Sequence, residues 1–170
     1  FTYYLDWMSD SLRSKVVAWQ TAVNAERDPY YNLNLGYFTK MTEVSDLQME
    51  IDKLDTQIKM YGRCRDNIVA ESSTDLVASY NEVIAENGGE QITIQNSVGA
   101  TLAEIDNLIA EQESNKENTK VRLEAKQLEL ESIRAQISAV NERLKITSYF
   151  TESEYTVILN GLVPAQTYSI

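Results

Sequence analysis

A chain of 170 residues with six glycines and two prolines is long enough for one core and too poor in turn formers for an all-β sandwich. Twenty-six acidic residues against fifteen basic ones give a net charge of −11, which repels nucleic-acid phosphates and disfavours an anionic membrane surface. Histidine is absent and Cys64 is the one cysteine, so no Ser-His-Asp triad, Cys-His dyad, histidine-bearing zinc site or intrachain disulfide can form.

No apolar run reaches the roughly 18 residues of a membrane span, so none is expected. The chain opens at Phe1 without a basic-then-apolar leader, and it reads as a piece of a longer polypeptide.

Residues 1–28 read as an aromatic-rich start followed by a helix. Ser9 or Asp10 is placed to cap it, and Leu12, Val16, Trp19 and Val23 fall on one face. Asp28 as N-cap and Pro29 at a first helical position predict a new helix over 29–61. Its heptad frame sets Val44 at a, Leu47 at d, Ile51 at a, Leu54 at d, Ile58 at a and Tyr61 at d, with Tyr37 at an earlier a. The frame puts Arg65 at a, and the seam is expected to end at Gly62.

Residues 62–100 read as a head or connector. Within it a short helix has Ser73 or Thr74 as cap, an apolar face of Leu76, Val77, Tyr80, Val83 and Ile84, and Asn87-Gly88-Gly89 as its stop. The alternation in "EQITIQNS", with Ile92 and Ile94 on one side, suggests a short strand.

A second coiled-coil helix is expected over 101–147. The frame starts with Leu102 at a and runs through Ile105, Ile109, Leu123, Leu130, Ile133, Ile137, Val140 and Leu144. Its middle is polar, with Gln112, Lys116, Thr119 and Lys126 at a and d, yet holds no Gly or Pro. One unbroken helix of about 45 residues, roughly 70 Å, is therefore expected, against roughly 50 Å for the first. Residues 148–170 close with a T-x-x-E capping box at Thr151 and Glu154, a short helix stopped by Gly161, and a tail kept extended by Pro164.

The fold class that follows is all-α: a long antiparallel coiled-coil hairpin, a small helical head at its tip and short helices at its base. The alternative is parallel pairing of each helix with its copies.

The acidic clusters Glu50/Asp52/Asp55 and Glu111/Glu113/Glu117 lie mostly on water-facing positions and read as solvated faces. There is no EF-hand loop, Gly-rich phosphate loop or nucleophile elbow. Cys64 between Arg63 and Arg65 has cations to lower its thiol pKa, but no histidine to serve as base. The expectation is a protein without enzymatic activity, cofactor or metal. Aromatic residues gather outside the coil. Tyr30, Tyr31, Tyr37, Phe38, Tyr149 and Phe150 form a candidate docking surface, or else a small core closing the base.

Two stretches carry a resemblance. "DPYYNLNLGYFTKM" leading into one heptad helix and "VNERLKITSYFTESEY" leading out of the other resemble the flanks of the coiled-coil insertion in tail and baseplate proteins of prophages from Gram-positive bacteria. Asp28, Tyr30, Tyr31, Asn32 and Leu33 match the way in; Phe150, Thr151, Glu152 and Glu154 match the way out. The resemblance covers about residues 28–158, and the chain departs from it after Tyr155, where "TVILNGLVPAQTYSI" replaces a longer polar stretch. It implies a structural component of a phage tail, tail tip, hub or fibre, made in the bacterial cytoplasm and incorporated in the virion. Its implied partners are other virion proteins and copies of itself, often as a trimer. A helical adaptor or adhesin segment of a bacterial surface protein is the alternative.

Overall fold

The computed structural model describes residues 9–169, with side chains through residue 160. The aromatic start Phe1, Tyr3, Tyr4 and Trp7 therefore lies outside the described residues. The chain is all-α: α1 (Asp10–Glu71), α2 (Val77–Glu86), α3 (Val98–Arg143), α4 (Ile146–Tyr149) and α5 (Glu152–Ser169). No strand occurs among the described residues. The packing divides into two compact units, one of residues 40–129 and one comprising residues up to 39 and from 130 onward.

In the unit of residues 40–129, α1 and α3 run antiparallel. Partners climb on one helix as they descend on the other: Lys40 meets Glu129 at 2.6 Å, Asp55 meets Lys116 at 2.7 Å and Arg65 meets Asp106 at 2.7 Å. Two apolar clusters hold this unit. Leu47, Ile51 and Leu123 make one, with Val44 against it. The larger joins Tyr61, Cys64 and Ile68 of α1, Val77 and Ile84 of α2, Ile92, and Ile105 and Leu108 of α3. Burying each large aliphatic side chain contributes about 1.5–3 kcal/mol, which is what anchors the short α2.

The other unit repeats the antiparallel pairing. Trp19 donates its indole N–H to the Leu144 carbonyl at 3.0 Å, Glu26 pairs with Arg143 at 2.9 Å, and the Tyr37 hydroxyl accepts from Arg134 at 3.1 Å. Its core is Leu12, Val16, Phe150 and Ile158, with Trp19, Ile146 and Tyr149 packed on it. The Ser9 Oγ accepts the Leu12 N–H, so Ser9 rather than Asp10 is the side-chain cap of α1.

Several boundaries differ from those the sequence suggests. α1 does not restart at Pro29; the proline lies inside it. Its ring removes the hydrogen bond due to the Ala25 carbonyl, but Ala25 and Pro29 are both exposed, so water can take that acceptor. Nor does α1 stop at Gly62. It runs nine residues further, to Glu71, because Cys64 and Ile68 still bury against the α2 cluster. α3 ends at Arg143, and the chain turns through Lys145 into α4. The capping box at Thr151 and Glu154 forms as expected: the Glu154 carboxylate accepts the Thr151 N–H at 2.9 Å, and the Thr151 hydroxyl accepts the Glu154 N–H at 3.3 Å. α5 does not end at Gly161, and Pro164 does not begin an extended tail; the helix continues to Ser169.

Candidate functional site

The seam is built from residues whose burial follows the heptad frame. None of the fifteen apolar seam residues is exposed; Leu47, Ile51, Tyr61, Ile105, Leu123 and Val140 are buried. Leu54, Ile58, Leu102, Ile109, Leu130, Ile133, Ile137 and Leu144 are half-buried, as is Val44.

Close to the head the frame misses a whole column. Gln57, Cys64, Thr101 and Leu108 are buried and all stand at g, one place from a. The cause is α2 with the segment after it, which packs on that flank and widens the seam from two columns to three. The adjacent apolar pair Leu108-Ile109 was the sequence signal for this; Gln57 and Thr101 carried none.

The polar middle is satisfied locally. Thr119, 3 % exposed, donates to the Asn115 carbonyl at 2.8 Å, and Gln112 accepts from the Asn115 amide at 3.3 Å. Lys116 reaches Asp55, which also holds Lys59. Lys40, Glu43, Lys126 and Glu129 form a ring in which each cation meets both anions, at 2.6 to 3.5 Å. Hydrogen bonds from Lys126 and Lys40 hold the Glu43 carboxyl below its ordinary range, and the Lys40 hydrogen bond does the same for Glu129. Hydrogen bonds to Glu129, then to its other neighbours, push the Lys40 ammonium up. Reversing the direction of one helix would destroy these pairings, so the ring fixes register and orientation.

The head is tied down by side chains that grip backbone. Gln57 donates to the Asn87 carbonyl at 3.1 Å, and the Tyr61 hydroxyl donates to the Glu90 carbonyl. Burial raises the Tyr61 pKa, with the Glu90 charge adding to it. Ser73 and Thr74 do not cap α2 with their side chains; the Ser73 Oγ instead accepts the Asp75 N–H. α2 stops in a Schellman turn: the Gly89 N–H reaches the Ile84 carbonyl and the Gly88 N–H the Ala85 carbonyl, with Gly88 at φ +74°.

The short strand expected in "EQITIQNS", residues 90–97, does not form; the segment has no regular secondary structure, and Ile92 has a surrogate partner. The Asn81 amide accepts the Ile92 N–H at 2.7 Å and donates to the Ile92 carbonyl at 2.9 Å, the two bonds a neighbouring strand would supply. Ile92 is buried and Ile94 is 52 % exposed, so the two do not share a packed face.

Cys64 has no cationic setting. It is buried among apolar residues, and that burial pushes its thiol up, while Arg65 is engaged with Asp106. A raised pKa removes thiolate and hence nucleophilicity. No group of three or more Asp, Glu or Cys residues is arranged to hold a metal among the described residues. Nor, among them, is any helix long and apolar enough to cross a membrane.

The six aromatic docking candidates separate by role. Phe150 is buried against Trp19, edge to face at 6.3 Å, and Tyr149 packs on the same core. Tyr30 and Tyr37 are half-buried along the α1 seam, with Arg134 lying over the Tyr37 ring. Only Tyr31 and Phe38 point outward, 63 % and 64 % exposed.

Compared with known protein families, characterised proteins and solved structures, the chain matches none.

Proposed function

We propose that the chain is a non-enzymatic structural component of a phage tail or baseplate, a coiled-coil spacer and assembly module that presents a small helical head. The observation that carries this is the use made of its polar groups. Those described above are spent on register, on capping and on fixing the head, as in the Lys40–Glu129 and Asp55–Lys116 pairs and the Asn81 clasp. The flanking segments at Asp28–Leu33 and Phe150–Glu154 add the resemblance to tail and baseplate proteins. The protein is made in the bacterial cytoplasm and carried in the virion beside other structural subunits.

The test is to purify particles from induced cells of the source bacterium and to look for peptides of this chain by mass spectrometry. Enrichment in tails is expected, and replacement of residues 72–97 by a short linker should impair assembly or host attachment. Absence from particles would overturn the reading. A second reading, a helical adaptor or adhesin segment of a bacterial surface protein, draws on Leu76, Val83 and Ile94, three apolar head residues 44–52 % exposed. Recovery of the chain from the cell envelope with a bound cellular protein, and not from particles, would favour it.

A further inference from the structure

The outward face of α1 between Val17 and Phe38 carries a second heptad line. Val17, Thr21 and Asn24 lead to Asp28, and Tyr31, Leu35 and Phe38 lead away from it, with alternating spacings of four and three. Every one of these seven positions is exposed, Val17 at 46 % and Leu35 at 48 %. A solvent-facing line on a coiled-coil helix is ordinarily charged. Here the one charged member is Asp28, and its neighbour Arg27 neutralises it at 3.3 Å. Thr21 turns its hydroxyl inward onto the Val17 carbonyl at 2.8 Å, so covering it strands no donor.

We propose that this face pairs with the same face of a second copy, antiparallel, about a two-fold axis at Arg27 and Asp28. The arrangement is self-complementary. Val17 of one copy falls across from Phe38 of the other, Thr21 from Leu35 and Asn24 from Tyr31. At the centre the two Asp28 residues meet across the axis with the Arg27 of each copy beside them, two cations set among two acids, which is the charge match an isologous interface requires. It is also where two chains of net charge −11 can approach without repulsion, since residues 29–39 contain no Asp, Glu, Lys or Arg. The paired stretch is about 32 Å of helix. At about 10 Å of width it buries on the order of 600 Å² in total, the range of weak, concentration-dependent association.

Light scattering and sedimentation equilibrium of this chain from about 10 µM to about 1 mM test the proposal. A monomer–dimer equilibrium with a dissociation constant on the order of 100 µM is expected. Leu35→Lys should abolish it with helicity by circular dichroism unchanged. Arg27→Asp, which sets acid against acid across the axis, should weaken it by about tenfold or more. Adding Asp28→Arg to Arg27→Asp reverses the pair and should restore dimerisation to within about threefold of the original. A chain monomeric throughout the range, a trimer, or a dimer indifferent to Leu35→Lys and Arg27→Asp would each overturn the proposal, the first leaving this face to a different protein.

Discussion

Asn81 on α2 holds Ile92 by both edges of its peptide group, accepting its N–H at 2.7 Å and donating to its carbonyl at 2.9 Å. One side chain thereby does for a single residue what a strand does for several. Replacing Asn81 by Ala leaves both Ile92 groups unpartnered and should cost about 1–3 kcal/mol in chemical denaturation. Asn81→Asp keeps the acceptor and loses the donor, so an intermediate loss is expected; equal losses for the two would contradict the two-sided grip.

The burial of Ile105 on α3 beneath the head and the exposure of Ile94 within it separate core from surface there. Ile105→Ala should destabilise by about 2–5 kcal/mol, since the cavity lies among packed side chains. Ile94→Ala should change stability by about 0.5 kcal/mol or less. A strand with Ile92 and Ile94 on one packed face would make the second substitution costly as well.

Glu154 accepts the Thr151 N–H and meets Lys15 at 2.8 Å, and the Lys15 hydrogen bond, followed by that of Thr151, holds its carboxyl down from the ordinary 4.5 to about 2. A depressed carboxyl binds fewer protons in the folded chain than in the unfolded one. Its contribution is therefore complete above the ordinary value and disappears as pH falls from 4.5 toward 2. Glu154→Gln should flatten the loss of melting temperature across that window and leave the pH 6–8 plateau level in slope. Glu43, Glu129 and Asp55 are shifted in the same direction, so acid sensitivity is reduced by the substitution rather than removed.

Pro29→Ala restores an N–H to the Ala25 carbonyl inside a continuous helix. It should stabilise the chain by up to about 3 kcal/mol, read as a shift of the urea midpoint with unchanged slope. Destabilisation would mean that the helix needs a bend at this point.

The two long helices were legible because the apolar residues at a and d are buried or half-buried along α1 and α3, from Val44 to Tyr61 and from Leu102 to Leu144. The capping box at Thr151 and Glu154 was legible for a local reason: both partners lie within four residues of chain. What was not legible depends on tertiary packing. A heptad count centred on a and d has no means of finding Gln57 or Cys64 at g, because their burial comes from α2. Local propensity at Pro29 and Gly62 signals a break, yet a helix packed along its length absorbs one lost hydrogen bond or one missing side chain. Aromatic composition marked Phe150 and Tyr31 alike, and only the fold assigns one to a core and the other to a surface.

The burial of Cys64 makes the chain its own stopwatch. A thiol reagent in solution can reach that sulfur only when the packing of Tyr61, Ile68, Ile84 and Ile105 around it comes apart. Where reclosing outpaces labelling, the modification rate equals the reagent's rate with an open thiol multiplied by the fraction of time the head stands open. Timing the loss of one sulfhydryl thus follows the breathing of the head, mutation by mutation, with no cysteine introduced for the purpose.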